Sequence, residues 1–181
     1  GCAGGDASIL DGTLGHTLYG WGHQQNLGNY MADDFTSSAS WNIDSLKFFA
    51  YQTGATAVTI TGVYVQIWNG SPMAGGTIVW GDLTTNRLQS ATLSNIYRAQ
   101  STTPTDCNRR IQTIVATAGV NLPAGQYWVQ WGMTGSLASG PWCPPVTISG
   151  QAVTGDALQN VAGVWAAALN GTSPNGAPFI V

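Results

Sequence analysis

Short apolar stretches separated by turn residues run along most of the chain. The clearest covers residues 58–68, where valine, isoleucine, threonine and aromatic residues lead to the pair Asn69-Gly70. β-branched and aromatic residues favour strands, and an Asn-Gly pair favours a hairpin turn. Both faces of this stretch are apolar, which predicts a central strand covered on two sides.

The same signals predict further strands along the chain. One begins after the Leu-Pro-Ala-Gly turn at residues 122–125, since proline and glycine set tight turns. The additional predicted strands cover residues 41–51, 76–80, 91–98, 110–117 and 126–132, with less regular ones at 146–149, 164–169 and 179–181. The predicted fold class is all-β, a single jelly-roll-like β-sandwich of about 8–10 mostly antiparallel strands.

The first thirty residues differ from the others. Residues 1–30 are rich in glycine and show no clean hydrophobic period, whereas residues 31–181 carry the strand pattern. We therefore expect an N-terminal segment followed by one sandwich domain. A short apolar piece such as residues 7–10 could be donated as a strand to a neighbouring copy.

Composition narrows the function classes. Of 181 residues only 7% are charged, the net charge is −3, and there are 24 glycines and 8 tryptophans. This charge predicts neither a nucleic-acid partner nor an anionic membrane surface. No apolar run reaches the roughly 18 residues of a membrane span, and too few polar helix formers are present for a helix bundle.

Several segments resemble a group of secreted bacterial modules of uncharacterised function. The matching segments are residues 32–35, 41–45, 49–53, 66–68, 81–88, 96–98 and 122–128. The resemblance implies a jelly-roll-like sandwich on cell-surface proteins, located outside the cell or on its surface. It implies no enzymatic activity and no particular ligand.

Three cysteines allow three single pairings and leave one thiol over. We expect a disulfide between Cys107 and Cys143, because both lie in loop-like sequence and a bond between them would close a long loop. A structural disulfide indicates an oxidising compartment. Cys2 is then free, lipidated or paired with another chain.

No catalytic residues are predicted, and we expect the chain not to be an enzyme. His16 and His23 are the only imidazoles, with neither a Gly-x-Ser-x-Gly elbow nor the spacing of common zinc sites. Paired aspartates could hydrolyse glycosides. Asp33 and Asp34, however, are neighbours, and adjacent side chains of a strand point to opposite faces.

Calcium suits the aspartates better, since carboxylate and amide oxygens are its preferred ligands. The candidate metal ligands are Asp33, Asp34, Asp82 and Asn86. No cofactor is required by this pattern, and a structural calcium ion is the one we expect if any binds. The alternative is that these residues cap backbone amides at turns and strand ends.

Aromatic residues in less regular sequence predict a sugar-binding surface. The candidate ligand-binding residues are Trp21, Trp142, Trp165, Tyr19 and Tyr30. The alternative is that most tryptophans belong to the core.

Low charge points to a different function. A soluble monomer usually keeps a charged surface, and edge strands pair with other chains unless charge or proline blocks them. We therefore expect a non-catalytic extracellular structural protein that self-associates into a surface fibre or layer, with copies of itself as partner. The alternative is a secreted carbohydrate-binding module with polysaccharide as partner.

Overall fold

The computed structural model describes all residues from Gly1 to Val181, and every element longer than three residues is a β-strand. The prediction of an all-β chain is confirmed. The strands are β1 (Asp6–Leu10), β2 (Trp21–Gly22), β3 (Asn29–Ser37), β4 (Trp41–Ala50), β5 (Ile60–Asn69), β6 (Thr77–Asp82), β7 (Leu88–Gln100), β8 (Arg110–Leu122), β9 (Gly125–Gly135), β10 (Trp142–Cys143), β11 (Leu158–Val161), β12 (Val164–Ala167), β13 (Leu169–Asn170), β14 (Ser173–Pro174) and β15 (Phe179–Ile180). None of the short helical turns has the length or apolar composition needed to cross a membrane.

Two sheets contain most of the strands. The five-stranded sheet has the order β1-β7-β8-β4-β15, and the six-stranded sheet has the order β12-β11-β3-β9-β5-β6. Every pairing of strands is antiparallel except that of β1 with β7. The arrangement is consistent with the predicted β-sandwich, and its finer jelly-roll connectivity stays a prediction.

The two sheets share one hydrophobic core. The rings of Phe48 in β4 and Trp131 in β9 have centroids 4.9 Å apart, so they join the five-stranded to the six-stranded sheet. In β4, Leu46, Phe48 and Ala50 are buried while Lys47 is exposed. This alternation follows from the period of two along a strand, and it directs one face of β4 into the core.

Most of the predicted strands are present. Those expected at 41–51, 58–68, 76–80, 91–98, 110–117 and 126–132 correspond to β4 to β9. No strand forms at 146–149, and the stretch 164–169 divides into β12, which pairs with β11, and the start of β13, which pairs with β14. Strands β3 and β11 were not predicted, because polar residues interrupt their apolar pattern. β1 contains the apolar piece 7–10, which was expected to pair with a neighbouring copy and pairs instead with β7 of its own chain.

The N-terminal segment belongs to the sandwich. Strand β1 pairs in parallel with residues 96–100 of β7, and β2 pairs with β10, so residues 1–30 contribute to the same structure as residues 31–181. Within one chain, β1 therefore occupies the edge of its own sheet rather than extending as a free arm.

The predicted disulfide between Cys107 and Cys143 is wrong. The bond joins Cys2 to Cys107, whose Cα atoms are 5.2 Å apart, and Cys143 is a free thiol. Cys143 lies in β10 with its side chain fully buried in the core, whereas Cys107 is in the exposed loop before β8. Because Cys2 forms this bond within the chain, its thiol is neither free nor available for lipidation or for a disulfide with another chain.

Candidate functional site

The five predicted ligand-binding aromatic residues do not form one surface. Trp21 is buried in the core, where its indole N–H donates a 3.1 Å hydrogen bond to the carbonyl of Leu169. It is therefore unavailable to a ligand, and its prediction as a binding residue is wrong. Tyr19 and Trp142 line one pocket, whereas Tyr30 and Trp165 lie on the outer face of the six-stranded sheet.

The pocket of Tyr19 and Trp142, called here the Tyr19 pocket, has a volume of about 260 Å³. Its seven lining residues are Tyr19, Gly20, Tyr51, Thr53, Arg109, Ser139 and Trp142. The backbone of Trp142 exchanges hydrogen bonds of 2.9 and 3.0 Å with that of Tyr51, directly after β4. This bridge fixes the two aromatic side chains relative to each other.

Guanidinium groups lie on one side of the Tyr19 pocket. The Arg109 guanidinium carbon is 3.6 Å from the centre of the Tyr19 ring, a cation–π contact, and its Nη1 donates to Asp106 at 2.7 Å. Arg98 does not line the pocket: it is completely buried and donates hydrogen bonds to the backbone carbonyls of Tyr19 and Leu18. Burial lowers the pKa of Arg98 to about 10, which still leaves the group charged at neutral pH.

Tyr30 and Trp165 lie on the outer face of the six-stranded sheet, in different packing environments. The ring of Tyr30 covers Gly132, where a Cβ would lie 2.7 Å from the ring carbon Cδ1. Trp165 packs with Trp68 against a cluster that includes Trp128, which is only 7% exposed. Trp68 and Trp165 are only partly buried there, so the role of Trp165 as a binding residue stays a prediction.

The structure divides the four predicted metal ligands into two groups. Carboxylate oxygens of Asp33, Asp34 and Asp156 lie within 4.8 Å of one another, so these three side chains could hold a metal ion. Leu158 of β11 pairs with Ala32 of β3, and continuing this register by two residues brings Asp156 level with Asp34. β11 begins only at Leu158, so Asp156 lies just outside the strand, and the two neighbouring aspartates belong to one cluster although adjacent strand residues were expected not to share a site.

Burial dominates the electrostatics of this acidic cluster. The pKa of the Asp33 carboxyl is raised from 3.8 to about 7, mainly by burial and to a smaller extent by the charges of Asp156 and Asp34. Hydrogen bonds from the backbone N–H groups of Ala177 and Asp34 act in the opposite direction. A cation at this position would offset the repulsion among the carboxylates.

Asp82 and Asn86 lie apart from the acidic cluster and have other partners. Asp82 accepts hydrogen bonds from Thr84 and Thr85 and pairs with Arg87 at 3.1 Å, and the Thr84 bond above all lowers its pKa. Asn86 accepts from the N–H groups of Val63 and Leu88. For these two residues the turn-capping alternative applies, and the prediction of a shared metal site is wrong.

Both histidines are buried. Nε2 of His16 lies 3.0 Å from the carbonyl oxygen of Ala152, and His23 is completely buried with neither ring nitrogen hydrogen-bonded. Burial lowers the pKa of His23 to about 4, so this ring is neutral at physiological pH. Neither imidazole ring is therefore exposed at the surface.

Comparison with known proteins gave no match to a family model, a curated protein or a solved structure. The candidate sites therefore stand on their own geometry.

Sequence reasoning missed several residues of these sites. Asp156 was one of many aspartates, and nothing in the sequence pairs it with Asp34. Tyr51 and Arg109 belong to a predicted strand end and a charged loop, and only the fold places both beside Tyr19. These residues could have been identified only from a prediction of the register between the strands.

Proposed function

We propose that this protein is a non-catalytic extracellular structural protein that self-associates edge to edge into a fibre or layer. The observation that carries the proposal is that both edges of the six-stranded sheet are open, almost free of charge and rich in exposed aliphatic side chains. An unprotected edge presents unpaired N–H and C=O groups to another chain.

The first edge is β6. It pairs only with β5, and its outer side has no strand neighbour. Ile78 and Val79 are 51% and 45% exposed there. The single charge of this strand, Asp82, lies at its end and is paired with Arg87. Neither lysine nor proline interrupts β6, and its one irregularity is a register shift at Val79, between the pairs Ile67–Trp80 and Trp68–Ile78.

The second edge is β12, at the opposite side of the same sheet. It pairs only with β11, and it contains no charged residue. Val164 is 71% exposed, and Val161 in the neighbouring strand is 49% exposed. The two edges thus offer surfaces of similar chemistry but different sequence.

An interface between two different edges repeats from copy to copy. If β6 of one copy pairs with β12 of the next, the interface is heterologous and generates an open polymer unless the rotation closes a ring. The low charge of the chain, 7%, provides little electrostatic repulsion between copies. The Cys2–Cys107 disulfide is compatible with an oxidising extracellular location.

Lysines placed on each edge test the proposal. Val79→Lys blocks β6, Val164→Lys blocks β12, and Val153→Lys adds the same charge at a position that is 57% exposed but outside every strand. Light scattering and negative-stain imaging should show polymers for the wild type and for Val153→Lys, but monomers for each edge variant. An equimolar mixture of the two edge variants should give heterodimers, because each retains the edge that the other has lost.

Two outcomes overturn the proposal. A wild type that stays a monodisperse monomer at high concentration has no tendency to assemble. Polymers that persist in both edge variants, or that Val153→Lys abolishes equally, would show that β6 and β12 do not form the interface.

A further inference from the structure

Tyr51 places an unpaired hydroxyl in the Tyr19 pocket. Its side chain is only 2% exposed, and it lines this pocket. The hydroxyl forms no hydrogen bond within the protein, while the hydroxyl of neighbouring Tyr19 donates to Gln100 at 3.2 Å. The Tyr51 hydroxyl is not among the sealed polar atoms of the interior, so it is accessible from the pocket and free to donate to a ligand there.

The charges around the pocket favour an anionic partner. Arg109 uses only Nη1 on Asp106, and its other guanidinium nitrogens donate to no protein atom. Arg98 behind the wall has no carboxylate partner, since its hydrogen bonds go to two carbonyls and to the hydroxyl of Ser8. Arg109 is thus the one guanidinium group that lines the pocket, and Arg98 adds a second positive charge behind it, so two cations lie near one carboxylate and a ligand carboxylate would balance the charge.

The shape of the pocket suits a single sugar ring. Its volume of about 260 Å³ lies below that of sites for drug-sized ligands, roughly 300–1,000 Å³. The indole N–H of Trp142 donates to Ser139 Oγ at 3.1 Å, which fixes the orientation of the aromatic plane. An aromatic plane packs against the C–H face of a pyranose, and the hydroxyl of Thr53 adds a polar contact at the rim.

We propose that the Tyr19 pocket binds a hexuronic acid unit of an acidic polysaccharide. Tyr51 and Arg109 donate hydrogen bonds to the sugar carboxylate, and Trp142 packs against the ring. No residue of the pocket belongs to β6 or β12, so this binding is independent of edge-to-edge assembly.

Titration calorimetry with short oligosaccharides tests the inference. Oligogalacturonate should bind, and a neutral galactose oligomer of equal length should bind at least tenfold more weakly. Tyr51→Phe, which removes one oxygen atom, and Arg109→Gln should each reduce the affinity about tenfold, the factor that 1.4 kcal/mol represents. Trp142→Ala should reduce it at least as much. Trp41→Ala is the control, since this tryptophan is 38% exposed and lies outside the Tyr19 pocket.

Three outcomes overturn the inference. Equal binding of the acidic and the neutral oligomer would exclude the carboxylate contact. Binding of acetate as strong as that of the oligosaccharide would exclude the contact with the sugar ring. Unchanged affinity in both Tyr51→Phe and Arg109→Gln would place the ligand elsewhere. Repeating the titration in the Val164→Lys variant separates failure of sugar binding from failure of self-assembly.

Discussion

The carboxylate of Asp33 accepts a hydrogen bond of 2.7 Å from the backbone N–H of Ala177, 144 residues later in the chain. This bond ties β3 to the segment that leads into β15, and it holds a carboxyl group inside the protein next to two other aspartates. The consequence is a group whose protonation is coupled to folding.

Asp33 and His23 should affect stability in opposite directions between about pH 4 and pH 7. The folded-state pKa of Asp33 is raised to about 7, so its contribution is complete below its unfolded pKa and is lost as pH rises. The pKa of His23 is lowered to about 4, so its contribution is complete above its unfolded pKa and is lost as pH falls. In the wild type, the pH dependence of the free energy of unfolding that comes from Asp33 and the one that comes from His23 offset each other.

Replacing one of these two residues should reveal the pH dependence of stability that the other contributes. With Asp33→Asn, the free energy of unfolding should rise with pH between about 4 and 6.5, approaching about 1.4 kcal/mol per pH unit for one proton. With His23→Leu it should fall over the same range. Chemical denaturation at a series of pH values measures both, and parallel profiles for the two variants would contradict the assignment.

Calcium should stabilise the protein through the acidic cluster of Asp33, Asp34 and Asp156. Extracellular sites bind calcium with dissociation constants near 1 mM, so about 10 mM calcium should add about 1.4 kcal/mol. The melting temperature should rise by about 3–6 °C, measured against a chelator. Asp156→Asn should remove the shift, whereas Asp44→Asn, an exposed aspartate outside the cluster, should keep it. An equal shift in both variants would show that calcium binds elsewhere.

Loss of the Cys2–Cys107 disulfide should cost about 3–5 kcal/mol, since the bond closes a loop of 105 residues. Replacing both cysteines with serine should lower the free energy of unfolding by this amount, and reductant should have the same effect on Cys143→Ala. Thiol titration should find one free thiol, accessible only after denaturation because Cys143 is buried. Three reactive thiols in the native protein would contradict the pairing.

Gln112 should be a highly sensitive polar residue of the five-stranded sheet. It is completely buried, and its Oε1 accepts from the N–H groups of Thr59 and Ile60 at 2.9 and 3.2 Å. Gln112→Leu leaves both donors without a partner, so the free energy of unfolding should fall by about 2–4 kcal/mol. The same substitution at exposed Gln89 should change it by less than about 0.5 kcal/mol. A similar loss at both positions would contradict this role.

The amino-acid sequence by itself determined the fold class and the central strands. The apolar pattern at 58–68 and the turn at 122–125 are local features, and they produce β5 and the start of β9 where they were predicted. Local pattern was sufficient there because a short run of β-branched and aromatic residues that ends at turn residues favours a strand.

Only the tertiary structure decided which residues meet. The register between β3 and β11 places Asp156 beside Asp34. The N-terminal segment, whose strand β1 pairs in parallel with β7, supplies Cys2 as the disulfide partner of Cys107 in place of the predicted Cys143. The Tyr19 pocket likewise collects Tyr51, Arg109 and Trp142 from three distant stretches. Such contacts depend on the order and register of strands, which the packing of the whole core selects and no local stretch of sequence encodes.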